Sequence, residues 1–382
     1  MSEDYSKLEI LKFSKNSMIL AGIWRLPITQ NPTIKRLYVY YSVFIQAYFP
    51  FFLIFLGSKF FILAFDVDNS PLKVFSTFAY MITSFVVMVK VVLVQKKRVR
   101  DIFAFINRTE EEIKKANDID ILKCHSALTR FCRKSNWATF FFTFGIGVAM
   151  IFANIVQRHE ISQYNKKYNT TIPKPFPYEL YYMTLDEEKY GTLFVWFNDF
   201  SILVAGFLVV STQVIFISCI IFASSLLRML QIRFKKMIGF TVNISVTLRE
   251  LILEHQRVIE FVNNLNESMK YIMMLEYLLN SLNMAMVSFQ FLAAEHNILI
   301  ASVLFYFGLL VVQTFILGWS ANEVKMQSLA LADAIYESPW YEQNHAAKKT
   351  MIIMMMRAQR PLALTIGPFD VMTTQSALTE SA

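Results

Sequence analysis

The stretch that decides the fold is FVWFNDFSILVAGFLVVSTQVIFISCIIFA, residues 194–223. Its only charged side chain is Asp199. As a helix rising about 1.5 Å per residue it is about 45 Å long, more than the roughly 30 Å hydrocarbon core of a bilayer. Working outward, five more apolar runs of span length flank it: Leu37–Phe65, Leu72–Val94, Trp137–Val156, Tyr271–Ala294 and Ile298–Trp319. The expectation is an all-α, polytopic membrane protein.

The whole chain agrees. It has 382 residues, 55% apolar and 17% charged, with mean hydropathy +0.41. A soluble domain averages about 45–50% apolar and about 25% charged. Ten Gly and ten Pro exclude collagen-like and disordered chains. Cys124, Cys132 and Cys219 form no C-x-x-C or Cys/His pattern, so a disulfide scaffold is excluded.

Net charge is +8, and its placement gives a topology rather than a nucleic-acid groove. Segments 1–36, 95–136, 227–270 and 321–361 hold 29 of the 37 Lys and Arg residues. The connection at 66–71 holds none, and 157–191 balances five against five acids. The basic side reads as cytoplasmic, with the N-terminus inside. That orientation excludes a G-protein-coupled receptor, and neither D-R-Y nor N-P-x-x-Y appears in the expected places. Nucleic acid is not an expected partner; membrane lipid is.

The organisation expected is one membrane domain. Residues 1–36 form a cytoplasmic segment, 37–223 spans one to four, 224–270 cytoplasmic helices and 271–319 spans five and six. Residues 325–358 form a cytoplasmic amphipathic helix, and 362–382 an incomplete final helix. In the cytoplasmic helices Leu226, Leu227, Leu230 and Phe234, then Leu248, Leu251, Ile252, His255 and Ile259, recur at helical spacing and need a partner outside the bilayer. Asn169-Thr170-Thr171 is a glycosylation sequon on the expected outer face. The sequons at Asn107, Asn243 and Asn266 fall on the inner one.

No phosphate loop, H-E-x-x-H or G-x-S-x-G element occurs, and the five histidines are scattered. No enzyme, cofactor or metal is expected. Lys59 and Lys90 sit near span ends and are expected to snorkel, while Glu276 is expected to pair with a neighbouring helix. What remains is an aromatic, Met-rich set in the outer halves of four spans: Phe75, Phe78, Tyr80 and Met81; Met150 and Asn154; Phe197, Phe200, Ser201 and Val204; Phe305 and Tyr306. Such side chains suit a weakly directional site for a small apolar volatile. Ordinary helix packing or lipid contact uses the same residues.

The C-terminal third carries a more specific signal. Gly318, Asn322-Glu323, Ser328, Ala332, Tyr336, Trp340-Tyr341 and Arg357-Ala358-Gln359-Arg360-Pro361-Leu362, with Thr365 and Gly367, resemble the signature of the insect odorant receptor family. Gly22-Ile23-Trp24 resembles the family's short element before the first helix. The resemblance implies a seven-helix bundle acting as an odorant-gated, non-selective cation channel of four subunits in a sensory-neuron plasma membrane. It implies a tuning subunit that binds a volatile in its outer half and assembles with a co-receptor. The cytoplasmic helices would be the subunit anchor, with Tyr336, Trp340, Arg357, Gln359, Arg360 and Pro361 among the matching residues. It also implies a final pore-lining helix. Only 21 residues follow Pro361, which leaves a non-conducting or truncated variant as an alternative reading. An unrelated polytopic transporter is another, although no inverted-repeat pair of broken helices is evident.

Overall fold

The computed structural model describes residues 10–24, 31–65, 71–170, 180–181, 187–237, 244–293 and 297–375. The helices are α1 (Lys12–Leu20), α2 (Pro32–Phe65), α3 (Pro71–Val94), α4 (Lys97–Ala116), α5 (Ile119–Tyr168), α6 (Glu187–Lys236), α7 (Ile244–Ala293), α8 (Asn297–Tyr336) and α9 (His345–Ala358). A short hairpin follows, in which β1 (Thr365–Ile366) pairs antiparallel with β2 (Asp370–Val371). Among the described residues six helices, α2, α3, α5, α6, α7 and α8, are long and apolar enough to cross a membrane.

Burial sorts these six. In α6, 78% of the apolar stretch is buried, against 17% in α5 and 22% in α2. The quoted stretch is therefore the centre of the bundle, with α1, α2, α3, α5, α7 and α8 all against it. The outward faces of α2 and α5 expose Phe51, Phe61, Phe141 and Phe152, as a lipid-facing surface does. Between helices, where lipid and protein are equally apolar, side-chain hydrogen bonds supply specificity. Asn280 Nδ2 donates to Thr314 Oγ1 at 2.9 Å, joining α7 to α8, and Asn283 Nδ2 to Thr83 Oγ1 at 3.3 Å, joining α7 to α3.

Residues 10–24 of the N-terminal segment pack on the bundle. Helix α1 lays Ser14, Ser17 and Met18 into the bundle. Ser211 Oγ donates to the Ser17 carbonyl at 3.0 Å, so the Ser17 hydroxyl donates in turn to Ser211 Oγ at 2.7 Å. Ser14 Oγ lies 2.8 Å from Ser218 Oγ, which also accepts from Asn136 Nδ2 of α5. Gly22 takes φ +69°, and its carbonyl accepts from Ser42 Oγ and Gln46 Nε2 of α2. A Cβ there would stand 3.3 Å from the Ser42 backbone. The turn delivers Trp24, fully buried, to stack on Phe103 of α4 at 5.7 Å.

At the basic end the helices outrun the apolar zone and pack on one another. Leu230 and Phe234 of α6 and Leu248 and Leu251 of α7 meet Leu331 and Ile335 of α8 and Met351 and Met354 of α9 in a separate core. Leu230, Phe234, Leu248, Leu251 and Ile252 are the part of the helical stripes that pairs here, while Leu226, Leu227 and Ile259 join the main bundle core. Asp118 caps α5, accepting from the N–H groups of Asp120 and Ile121, and binds Lys236 at 2.6 Å. The Lys236 ammonium holds its carboxyl below the usual range.

Four expectations need correction. The amphipathic stretch 325–358 is two helices, not one: α8 ends at Tyr336, Pro339 cannot continue it, and Asn344 caps α9 through the Ala347 N–H at 2.8 Å. The third span lies within a 50-residue helix, so α5 runs on into the stretch read as the 157–191 connection. Within the expected final helix 362–382, residues 365–371 form the hairpin instead, because Gly367 at φ +58° turns the chain; residues 374–375 are helical, and 376–382 lie outside the described residues. Lys90 does not snorkel. It is 3% exposed and forms an ion pair with Glu276 of α7, with Gln213 Oε1 of α6 accepting at 3.4 Å. A buried ammonium with a carboxylate within reach is better held there than drawn out to an interface.

Candidate functional site

The site is built on α6, whose central position lets one helix present side chains to several neighbours. Ser201 returns its hydroxyl proton to the Phe197 carbonyl at 2.6 Å, leaving the oxygen to accept from Tyr48 of α2, also at 2.6 Å. The Tyr48 ring is edge-on to Phe197 at 5.7 Å and to Phe200 at 5.3 Å. Three of the expected residues thus converge on one that the sequence reading passed over. Tyr48 lies in the first span, which was not counted among the lining helices. Its signal was present: a tyrosine hydroxyl deep in an apolar run needs a partner.

Of the remaining residues, Phe78, Tyr80, Met81, Phe305 and Tyr306 make further contacts with neighbouring helices or cores. Phe78 of α3 lies 5.2 Å from Phe60 of α2, and Met81 lies over Gly57 of α2. Phe305 of α8 lies 6.2 Å from Phe142 and over Gly145, both of α5. Tyr80 of α3 packs against the main core, and Tyr306 of α8 packs on a small core of Met284, Val287, Val303 and Leu310. Asn154 and Val204 are buried, Met150 is half-buried, and Phe75, Phe200 and Phe305 are about half exposed. Tyr181 donates its N–H to the Phe55 carbonyl at 3.3 Å, and Leu180 is buried, so this piece of the connection packs on α2. Asn169 ends α5 in the left-handed conformation and is exposed.

Chemically the arrangement is aromatic and uncharged at its centre, with one hydroxyl pair. It offers dispersion and one or two hydrogen bonds, and no nucleophile–base pair. Among the described residues no group of His, Cys, Asp or Glu is placed to hold a metal.

The C-terminal residues that carried the resemblance have structural work at the basic end. Glu323 pairs with Arg228 of α6 and accepts from Gln327. Ser328 Oγ accepts from the Leu362 N–H at 2.9 Å, and Asn266 Oδ1 of α7 from the Thr365 N–H at 2.9 Å. The Gly367 N–H donates to the Lys270 carbonyl, and a Cβ on Gly367 would meet Met274 Sδ at 2.8 Å. Arg357 donates to the Arg360 carbonyl at 3.1 Å, closing the turn before Pro361, and Gln359 caps α9. Trp340 packs on the separate core, whereas Tyr336 and Pro361 are exposed.

Comparison with known proteins gives a consistent result. The 7tm odorant receptor family model matches residues 70–376. Over 153 residues, 40% of each chain, this chain is 35% identical to Odorant receptor 10 of Aedes albopictus. Over 130 residues, 34% of each, it is 32% identical to Odorant receptor Or2 of Anopheles gambiae. The matched stretches thus span well under half the length of these relatives. The fold is similar to that of the insect olfactory receptor OR5 from Machilis hrabei, with TM-score 0.74, 15% identity, and coverage of 99% of this chain and 96% of that one. The same receptor in complex with eugenol gives TM-score 0.73.

Proposed function

The chain belongs to the 7tm odorant receptor family, and from that premise we propose that it is a tuning subunit. It binds a small apolar volatile in the half of the bundle away from the basic end, and gates a non-selective cation channel together with a co-receptor. One observation carries the ligand reading: the Tyr48–Ser201 hydroxyl pair set among Phe197 and Phe200 on the most buried helix. A ligand with an aromatic or aliphatic body and one oxygen can pack on these rings and share that hydrogen bond. The eugenol complex of the Machilis receptor supports the same ligand class. The basic end is cytoplasmic, the membrane is the plasma membrane, and Asn169 on the opposite side is a glycosylation site.

Assembly is assigned to the basic end. There Tyr336, Tyr341, Ile352, Ile353 and Met356 are exposed on elements that extend beyond the apolar zone, beside the folded core of α6–α9. Apolar side chains in that position favour burial against other subunits.

Ligand binding is tested by thermal unfolding of the purified chain with a panel of neutral volatiles including eugenol. A ligand at a hundred times its Kd stabilises the native state by about 2.7 kcal/mol. At least one panel member raises the midpoint, and Tyr48→Ala removes the rise. No shift from any member, or a shift indifferent to Tyr48, contradicts the site.

A further inference from the structure

Where α5, α6 and α8 leave the apolar zone at the basic end, they surround a cavity of about 290 Å³. Its walls are apolar and aromatic: Leu128, Ile221, and the rings of Phe131 and Trp319, 5.2 Å apart. Its polar groups come from Ser224, Arg228, Glu323 and Ser320, whose hydroxyl donates to the Ile316 carbonyl at 2.7 Å.

Two of those groups are left without a partner. Ser201 and Ser218, on the same helix, return their hydroxyl protons to the carbonyl four residues earlier. Ser224, only 1% exposed, makes no such bond, and its Oγ has no hydrogen-bond partner. Arg228 gives Nη2 to Glu323, and its Nε, also buried, has none. Buried polar groups in native proteins are nearly always paired, so an orphan hydroxyl and an orphan N–H on one cavity wall call for a shared acceptor. Glu323 already balances the guanidinium charge. A second anion beside that carboxylate would be repelled, so the acceptor that fits is a neutral oxygen.

We propose that this cavity is a second small-molecule site, separate from the aromatic one around Tyr48, that takes a neutral amphiphile carrying one oxygen. The oxygen accepts from Ser224 and Arg228 while the chain lies along Leu128, Phe131 and Trp319. The cavity has room for about ten waters at about 30 Å³ each, so the ligand has about ten heavy atoms, as in a medium-chain alcohol, ester or ketone. The site stands on its own residues and does not depend on the odorant reading. The ester carbonyl of a bilayer lipid carries the same oxygen chemistry.

Cys124, on the cavity wall and half-buried, reports occupancy, since Cys132 and Cys219 are buried. Burial pushes the Cys124 thiol up, with Arg228 opposing, so its alkylation by N-ethylmaleimide is followed at alkaline pH by mass spectrometry. The probe is 1-octanol, with octane and octanoate as comparisons, on the full chain in nanodiscs of ester-linked or ether-linked phosphatidylcholine. Octanol slows Cys124 labelling at least threefold in both lipids, and octane and octanoate do not. Ser224→Ala weakens that protection about fivefold. Ala127→Phe, at an exposed wall position where folding is not at stake, abolishes it. The proposal is overturned if octanol gives no protection, if octane or octanoate protects equally, or if neither variant changes the effect. Slowing by ester-linked lipid alone, with nothing added by octanol, overturns it in favour of a lipid contact.

Discussion

Two residue pairs separate ligand chemistry from stability. Tyr48→Phe removes a hydroxyl that donates to Ser201 and leaves the ring contacts with Phe197 and Phe200 in place. A neutral hydrogen bond is worth about 1 kcal/mol, so the variant shifts dose–response curves for oxygenated ligands about fivefold. An unchanged curve removes the pair from the site. Lys90 and Glu276 are a different case, both 3% exposed and paired inside the bundle. Glu276→Leu alone strands an ammonium and costs about 3–5 kcal/mol, while the double variant Lys90→Met with Glu276→Leu recovers most of it. Detergent thermostability of the three proteins checks this; equal loss in the single and double variants contradicts a net pairing. From sequence, Lys90 and Glu276 could each be seen as costly, but not as partners. They are 186 positions apart, and only the direct packing of α3 on α7 joins them.

At the level of elements, six apolar helices were legible because a bilayer demands about 20 consecutive apolar residues, which leaves a strong one-dimensional trace. Helix α1 left almost none. It is nine residues long and mostly polar, and its serines read as surface until Ser211 and Ser218 are found opposite them. Gly22→Ala tests that element, because φ +69° and the nearby Ser42 backbone both oppose a Cβ. A cost of about 1–2 kcal/mol is expected, read as lower thermostability or surface yield. Helix α9 carries the pH prediction. His255, 5% exposed beneath it on α7, has its pKa pushed down to about 4 by burial, and the Arg357 charge adds to the shift. The unfolded chain takes up that proton near pH 6.5 and the folded one only near 4, so stability is full above about 6.5 and falls as pH drops toward 4. His255→Leu flattens the thermal midpoint across that window. A midpoint equally pH-dependent in both proteins contradicts the assignment.

For the molecule as a whole, the two ends divide the labour. The C-terminal motif was the most specific signal in the sequence, and its residues tie α6, α7, α8 and the hairpin together at the basic end. The outer aromatic residues were visible only as composition, and composition could not say which would meet. Tyr48 escaped for that reason, and Phe75 was included although it is 54% exposed. The proposed division places the ligand site on one side of the membrane and the anchor on the other, so binding is coupled to opening only through the helices that span both. A ligand shifts that equilibrium by no more than its differential affinity for the two states. The most direct measurement is whole-cell current in oocytes expressing the chain with and without an insect odorant co-receptor, against a panel of neutral volatiles. The account predicts a dose-dependent cation current only with both subunits, shifted by Tyr48→Phe. A chain that reaches the cell surface beside the co-receptor and answers no volatile, or transports one without it, would contradict the account.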